Sequence, residues 1–181
     1  MNRAEALNLV QSMVTNRNLL KHMLATEACL RGLAHRLGGD EEKWGLAGLL
    51  HDVDYDRTRE DTAKHGIVGA EMLKEKGLDA EIIHAVLAHV GGVPAESALD
   101  KALYATDPMT GLIVAAALMH PTKRLASLDP DFVLRRFKEK KFAAGANREQ
   151  IQTCVNLGLS LEEFTAACLV AMQGIAPDLG L

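Results

Sequence analysis

Aromatic residues are scarce in this sequence: Phe, Trp and Tyr together make up 4% of its 181 residues. Sandwich folds draw on aromatic and β-branched residues, whereas alanine, leucine and methionine, which are plentiful here, favour helices. No segment shows the strict alternation of apolar and polar residues that marks a half-buried strand. The composition therefore predicts an all-α fold rather than a β-sandwich.

Cysteines are also few, and their positions exclude a disulfide framework. Cys29, Cys154 and Cys168 are scattered through the chain with no paired spacing, which is typical of reduced thiols in the core of a cytoplasmic protein. Residues 1–20 lack the layout of a signal peptide. The most apolar run, residues 112–119, is too short to span a bilayer. We therefore expect a cytoplasmic protein without a membrane partner.

The sequence has no excess of positive charge, since its formal net charge is -4. This balance argues against nucleic acid as a partner bound through overall charge. The charges are unevenly spread, however. Residues 40–61 carry eight acids and three bases, and residues 121–148 carry eight bases and three acids. An acidic zone and a basic zone in one domain would place a metal beside an anion site.

Helix-capping residues divide the chain into a series of helices. N-cap signals precede apolar stripes of helical period, and glycines follow several of them. The predicted N-caps are Asn2, Asn16 or Asn18, Asp40, Asp79, Ser97, Asp129, Asn147 and Ser160. Residues 54–61 are predicted to form a polar loop, and a helix beginning at Thr62 is predicted to carry His65. With no repeat, low-complexity segment or linker, residues 1–181 are predicted to form one domain, a single helical bundle.

The most informative stretch is residues 48–56, Gly-Leu-Leu-His-Asp-Val-Asp-Tyr-Asp. His51 and Asp52 fall near the end of an apolar helix. Neighbouring helical side chains are about 100° apart, so both can converge on one object beside the helix. Imidazole and carboxylate together suit a divalent metal such as Zn, Mn, Fe or Ni. A His-Asp pair is common by chance, so the assignment depends on further ligands.

Further ligands are available from other predicted helices. His22 and His89 each lie about a quarter-turn from the centre of an apolar stripe, where a side chain can face a cleft. His65 is followed one turn later by Gly69, which allows another element to approach closely. Asp107 precedes Pro108, a pattern that equally fits a helix N-cap. Both roles are compatible if the helix is only kinked there.

These residues, in the order His, then His-Asp, then Asp, resemble the HD superfamily of metal-dependent phosphohydrolases. The strongest pieces of the resemblance are residues 47–52 (AGLLHD), 65–70 (HGIVGA) and 102–107 (ALYATD). Residues 110–117 and 141–145 look like a bacterial branch of HD- or HDIG-type hydrolases. The resemblance implies an all-α bundle of the HD-domain type.

The resemblance also implies ligands for one or two divalent transition-metal ions, drawn from Mn, Fe, Ni, Co or Zn. One ion would be held by His22, His51, Asp52 and Asp107. A second would be held by His65 and His89, with Asp52 as the bridge. Many two-metal relatives have adjacent histidines where this chain has Ala88-His89-Val90, so the second site is less secure.

Two further departures bear on the reaction. The Gly-Tyr-Pro motif of the cyclic-dinucleotide branch is absent, which argues against that substrate. Some nucleotidases have a catalytic glutamate three residues after the aspartate of the His-Asp pair, where this chain has Tyr55. Asp54 or Asp56 would have to serve in its place, beside a catalytic Asp52.

The implied activity is hydrolysis of a phosphomonoester or phosphodiester in a small phosphorylated substrate, such as a nucleotide, by metal-activated water. Two alternatives remain open: a di-iron oxygenase, and a nucleotide-sensing module without turnover. Iron content with oxygen consumption would identify the oxygenase. The residues proposed to bind the substrate anion, which otherwise form a solvated basic face, are Lys123, Arg124, Lys141 and Arg148.

Overall fold

The computed structural model describes residues 1–181 as eleven α-helices and three short 3-10 helices, without strands. The all-α prediction is therefore confirmed. The helices are α1 Arg3–Met13, α2 Arg17–Leu37, α3 Glu41–Leu50, α4 Tyr55–Thr58, α5 Ile67–Glu75, α6 Ala80–His89, α7 Ala98–Met119, α8 Pro130–Lys138, α9 Arg148–Gln152, α10 Leu161–Gly174 and α11 Ala176–Leu179.

The predicted caps account for most helix starts. Asn2, Ser97 and Ser160 each form a full capping box with the residue three positions on. Asp40 and Asp79 accept hydrogen bonds from the first turns of α3 and α6. Local side-chain chemistry thus fixes where these helices begin, before any tertiary contact is considered.

One core of 41 buried residues joins helices from both ends of the chain. Helix α2 lies near its centre and packs against α3, α7 and α10. Ala6 and Val10 of α1 and Leu179 of α11 belong to the same core. The ends of the chain therefore stabilise the same hydrophobic cluster as the central helices that carry the predicted ligands.

Helices α2 and α3 cross in backbone contact at Gly48. A Cβ atom at this position would lie 2.8 Å from the backbone nitrogen of Glu27 and 2.9 Å from its Cα. Real Cβ atoms do not approach backbone so closely, so only glycine allows this crossing. His51 follows one turn later, and the crossing holds it close to His22 of α2.

Helix α7 differs from the prediction, because it runs without interruption through Asp107 and Pro108. Asp107 is therefore not an N-cap. Proline lacks the N–H that would bond to the carbonyl of Tyr104, four residues earlier. The Nε2 of Gln150 on α9 donates to that carbonyl at 2.8 Å instead, so a side chain from another helix compensates for the proline.

The continuity of α7 makes it longer and more apolar than residues 112–119 alone indicated. Its 22 residues are enough to cross a membrane by length and composition, but 61% of its most apolar window is buried inside the bundle. A buried core helix passes the same test, so this feature is weak evidence for a membrane span.

The segment between α3 and α5 also departs from the prediction. Residues 55–58 form the one-turn helix α4 rather than an open loop. His65 lies outside α5, because Gly66 adopts a φ of 78° and the helix begins only at Ile67. The buried carboxylate of Asp54 accepts hydrogen bonds from the backbone N–H groups of Gly66 and Gly69, at 2.9 and 2.8 Å. It thus caps the N-terminus of α5 from a distance.

We expect Gly48→Ala to destabilise the protein by about 1–3 kcal/mol, because the added methyl group forces α2 and α3 apart. Gly111→Ala is the matched control. A Cβ there meets no atom within 4 Å, so higher helix propensity should stabilise α7 by up to about 1 kcal/mol. Urea unfolding of both variants measures the difference. Equal stability of Gly48→Ala and the wild type would show that the crossing is not tight.

Candidate metal centre

Four imidazole rings and two carboxylates converge beside α2 and α7. The rings form a chain of edge contacts, with centroid separations of 5.0 Å for His22–His51, 5.1 Å for His51–His89 and 5.3 Å for His65–His89. His51, Asp52 and His89 are buried, whereas His22, His65 and Asp107 are half-buried. The structure therefore brings together all six residues that the sequence predicts as metal ligands.

The first group of potential ligand atoms surrounds the Nε2 of His22. This atom lies 3.1 Å from His51 Nε2 and 3.1 Å from Asp107 Oδ1. Asp52 Oδ2 lies 3.5 Å from His51 Nε2 and 3.7 Å from His22 Nε2. Atoms that share an ion at about 2.0–2.2 Å are separated by roughly 3–3.5 Å. The four atoms thus have the spacing of a single coordination sphere.

The second group lies on the other side of the same carboxylate. Asp52 Oδ1 is 3.1 Å from His65 Nε2 and 3.5 Å from His89 Nε2. Each oxygen of Asp52 therefore faces a different pair of histidines. A carboxylate that bridges two metals requires this division.

Hydrogen bonds to the opposite ring nitrogen aim two of the histidines. The Nδ1 of His51 is 2.8 Å from the carbonyl of Gly48, and the Nδ1 of His89 is 2.6 Å from the carbonyl of Val86. A carbonyl only accepts, so Nδ1–H is the donor in both rings. The Nε2 atoms consequently face the centre, as in metal-binding histidines.

The other two rings are aimed in the same way by side chains. The hydroxyl of Thr110 donates to the carbonyl of Asp107 at 2.9 Å, and so accepts from His22 Nδ1 at 2.9 Å. His65 Nδ1 is 2.8 Å from Asp54 Oδ1. All four histidines therefore donate through Nδ1 and direct Nε2 at the same space.

The Nε2 atom of His89 indicates that the cluster suits a metal. His89 Nε2 is buried and has no hydrogen-bond partner. Leaving a buried polar atom unpaired costs about 1–3 kcal/mol. A divalent ion would supply the missing partner, and the set of imidazole nitrogens and carboxylate oxygens suits Mn, Fe, Co, Ni or Zn. The residues fit a divalent metal.

The pKa values of the clustered histidines are shifted by burial and by the neighbouring carboxylates. Burial lowers the pKa of His51 to about 4. Burial also opposes charge on His65, but hydrogen bonds to Asp52 and Asp54 outweigh it and raise the pKa of this ring to about 10. Against its own burial, His22 has a raised pKa because of Asp107. A metal therefore has to displace protons from His65 and His22.

Asp54, one of the predicted catalytic residues, lies behind the centre. Its side chain is fully buried, and its oxygens accept from His65 Nδ1 and from the backbone of Gly66 and Gly69. This placement leaves no room for contact with substrate. The predicted catalytic role is corrected to one of orienting His65.

Asp56, the alternative catalytic candidate, points to a different part of the chain. Its Oδ2 accepts from the backbone N–H and the hydroxyl of Thr15, both at 2.7 Å, and these bonds lower the pKa of Asp56. Asp56 therefore ties α4 to the connection between α1 and α2. Nothing in this arrangement supports a role in activating water.

Arg148, a predicted anion-binding residue, instead organises the loop between α8 and α9. Its guanidinium uses all five N–H donors on the backbone carbonyls of Phe137, Glu139, Phe142, Ala143 and Ala146. One of these residues, Ala143, has a φ of 43°, a left-handed conformation that is costly for alanine. Arg148 thus has no donor left for a substrate, and its role is structural.

The other three residues predicted to bind the substrate anion are exposed. Lys123 and Arg124 follow the C-terminal end of α7, which lies about 18 Å along the helix from Asp107. Lys141 belongs to the α8–α9 loop, but its side chain does not line a cavity beside the centre. The structure does not bring these three residues to the cluster.

Two cavities adjoin the centre and share His22 and Gly111. The α2–α7 cavity, of about 430 Å³, lies between those helices and the last residues of the chain. The loop cavity, of about 360 Å³, is walled by Asp107, Pro108 and the α8–α9 loop. The sequence indicated neither cavity, because each is formed by segments far apart in the chain.

Sequence reasoning also missed two residues beside His22. Thr110 aims the ring, and its position one turn after Asp107 was the available signal. Lys21 precedes His22 directly and lines the α2–α7 cavity. Lys21 lies outside the basic zone, residues 121–148, so the charge pattern of the sequence did not indicate it.

The fold and the cluster define a class: an all-helical domain with a histidine–aspartate centre suited to divalent metal. The sequence profile described as "HD domain" matches residues 19–117, a span that includes all six residues of the cluster. The chain belongs to the HD domain family, as the resemblance in the sequence indicated.

Similar proteins from bacteria and an archaeon extend this result. Ribonuclease Y of Oleidesulfovibrio alaskensis is 33% identical over 144 residues, which cover 78% of this chain and 28% of the relative. Ribonuclease Y of Sulfurovum sp. is 30% identical over 142 residues, which cover 77% of this chain and 28% of the relative. An uncharacterised protein of Methanocaldococcus jannaschii is 32% identical over 165 residues, covering 84% and 92%. No solved structure matches the chain significantly.

The coverage of these relatives differs sharply. This chain spans about 28% of the ribonuclease Y sequences, so the similarity concerns one region of those proteins. The archaeal relative matches over 92% of its own length, but it is an uncharacterised protein and indicates no activity. The family is thereby established, while the substrate is a matter for proposal.

We predict that His51→Ala loses metal while remaining helical. This ring lies at the centre of the chain of histidines, and its pKa of about 4 leaves it unprotonated and ready to bind. Elemental analysis of purified protein gives the metal content, and circular dichroism reports the fold. His35→Ala, an exposed position on α2, is the control. Unchanged metal content in His51→Ala would contradict the assignment.

We also predict that metal binding releases protons and strengthens as pH rises. His65 and His22 have raised pKa values, so at low pH protons compete for their Nε2 atoms. Each displaced proton should change affinity by about tenfold per pH unit below the pKa of its ring. Titration calorimetry at pH 6 and pH 8, in two buffers of different ionisation enthalpy, measures both effects. Equal affinities at the two pH values would contradict the prediction.

Proposed function

We propose that this chain is a metal-dependent phosphohydrolase that cleaves a phosphomonoester or phosphodiester of a nucleotide-like small molecule. The observation that carries the proposal is the division of Asp52, whose two oxygens face two separate pairs of histidines at 3.1–3.7 Å. A bound divalent ion would lower the pKa of its water ligand from about 15.7 to about 7, and so supply hydroxide at neutral pH. It would also offset negative charge on the phosphoryl group.

The proposed ligands of the first ion are His22, His51, Asp52 and Asp107. His65 and His89 are the proposed ligands of the second, with Asp52 shared. The hydrogen bonds to each Nδ1 atom hold the rings in position before a substrate arrives, so little reorganisation is required during the reaction. Asp54 contributes by fixing His65 and the start of α5.

The two cavities that adjoin the centre provide a place for substrate on the side of His22 and Asp107. His51, Asp52 and His89 are buried, whereas His22 lines both cavities and Asp107 lines the loop cavity, so the reacting group is placed on this side. The α2–α7 cavity, of about 430 Å³, and the loop cavity, of about 360 Å³, fall within the range of small-molecule sites. A monomeric phosphorylated substrate fits this arrangement.

RNA is the second candidate substrate. The relatives named ribonuclease Y favour it, and they weaken the expectation from net charge that nucleic acid is not a partner. The formal charge of -4 and the absence of lysine and arginine from the lining of the loop cavity favour the small molecule. A panel of mononucleotides, dinucleotides and a short single-stranded RNA, each with Mn, Fe, Ni, Co or Zn, separates the two.

We predict that Asp52→Asn lowers kcat on the order of 10³-fold even when the protein is loaded with metal. The amide nearly preserves the shape of the side chain, but it has one oxygen and no charge. Only one of the two pairs of histidines therefore still faces an oxygen of residue 52. Both kcat and kcat/KM should fall, as expected for loss of an interaction made in the transition state. Phosphate release measures both constants.

Asp56→Asn is the matched control, since its carboxylate contacts Thr15 rather than the centre. We expect a kcat close to that of the wild type. Near-wild-type kcat in metal-loaded Asp52→Asn would be incompatible with the proposed mechanism. A collapse of kcat in Asp56→Asn would restore Asp56 as a catalytic candidate.

A further inference from the structure

The face of α7 that carries Asp107 continues past the metal centre as the wall of a cavity. Gly111, Val114 and Leu118 follow Asp107 at intervals of three and four residues, so all four share one side of the helix. On α2, Asn18 lies four residues before His22 and three before Lys21, so Asn18 is placed between these two side chains around the helix. These residues of the two helices enclose the α2–α7 cavity, closed at its base by Leu179, Gly180 and Leu181.

Lys21 is the one lysine or arginine in the lining of this cavity, where it lies beside His22. It is half-buried, and it forms no ion pair and no side-chain hydrogen bond. Lys43, by contrast, pairs with Asp79 and Glu81, and Lys64 pairs with Asp61. A partly desolvated ammonium without an anion favours a ligand that supplies one.

The rest of the lining combines the polar side chains of Asn18, His22 and Thr110 with an apolar wall and an open position at Gly111. Val114 and Leu118 form the wall on α7, and Leu118 is 51% exposed although it faces a cavity. At Gly111, between this cavity and the loop cavity, an added Cβ would meet no atom within 4 Å. The cavity therefore combines a cation, an apolar wall and free passage to His22 and the metal centre.

We propose that the α2–α7 cavity is a substrate subsite, in which Lys21 binds a second anionic group of a molecule whose body packs on Val114 and Leu118. The inference rests on the proposed function, because it places the scissile phosphoester at the centre and the second anion at Lys21. The chemical class is a small molecule with two anionic groups separated by a nucleoside-sized body, such as a nucleoside bisphosphate. A nucleoside monophosphate lacks the group that Lys21 would bind.

The test compares adenosine 3′,5′-bisphosphate with adenosine 5′-monophosphate on Mn-loaded protein. We expect the wild type to bind the bisphosphate at least about tenfold more tightly in titration calorimetry, the effect of one charge-assisted hydrogen bond. In Lys21→Gln the preference should nearly disappear, and in Lys21→Arg it should be partly kept. Lys123→Gln, which alters an exposed lysine away from the cavity, should keep the full preference.

Gly111→Leu provides a second variant that does not depend on Lys21. The site has room for a side chain, so the protein should fold with unchanged metal content, while binding of both nucleotides weakens. Gly174→Leu, at the end of α10 and equally uncrowded, is its control. No preference in the wild type, or the same preference in Lys21→Gln, would overturn the proposal.

The outcomes for the subsite and for the reaction are separable. If phosphate release is observed and depends on Asp52 but Lys21→Gln retains the bisphosphate preference, the subsite is wrong and the hydrolase stands. If the preference depends on Lys21 but no phosphoester is cleaved, the cavity binds the predicted ligand and the hydrolase is wrong. Metal content and thermal unfolding, measured for each variant, exclude loss of the fold as the cause.

Discussion

Each of the four clustered histidines makes one hydrogen bond through Nδ1, and the arrangement of the centre depends on these bonds. Two of the acceptors, Gly48 and Val86, are backbone carbonyls three residues before the ring, so the helices themselves orient His51 and His89. The other two rings depend on tertiary structure, since Thr110 and Asp54 come from distant segments. Because each Nδ1 is committed, the four Nε2 atoms can serve only the shared space between them. The fold thus fixes each ring with its proton on Nδ1, which leaves Nε2 as the atom available to a metal.

This commitment has an energetic cost in the absence of metal. Burial opposes ionisation of Asp52, yet the surrounding histidines keep its pKa well below the usual range, so a carboxylate persists beside His65. A proton on His65, whose pKa is raised to about 10, offsets part of the negative charge, and Asp107 raises the pKa of His22 in the same direction. His89 Nε2 gains nothing from the proton on His65 and remains unpaired. A group that binds only the folded protein stabilises it. Because His89 Nε2 is unpaired, a cation should stabilise this cluster more than a cluster in which every nitrogen is already hydrogen-bonded.

The sequence predicted what depends on local chemistry and missed what depends on distant segments. Helix starts at Asn2, Ser97 and Ser160 followed from their own side chains, and the six clustered residues followed from the family pattern. Asp107 remained ambiguous because the donor that compensates for Pro108 is Gln150, 46 residues from the carbonyl it serves. Asp54 was predicted as a catalytic candidate in a polar loop, since nothing local shows that it caps α5 and supports His65. Arg148 looked like a substrate ligand for the same reason: its five acceptors are backbone carbonyls, which have no sequence pattern.

The residues beyond the matched family segment, 19–117, shape access to the centre. Gln150 permits α7 to continue through Pro108, and this continuity places Gly111, Val114 and Leu118 in line with Asp107. Arg148 holds the loop whose small residues, Ala143, Gly145 and Ala146, wall the loop cavity. The ligands thus belong to the shared family segment, while the cavity walls come partly from the C-terminal third of the chain. The cluster can therefore stay the same while the cavity walls contributed by the C-terminal third differ, because those walls lie outside the segment that carries the six clustered residues.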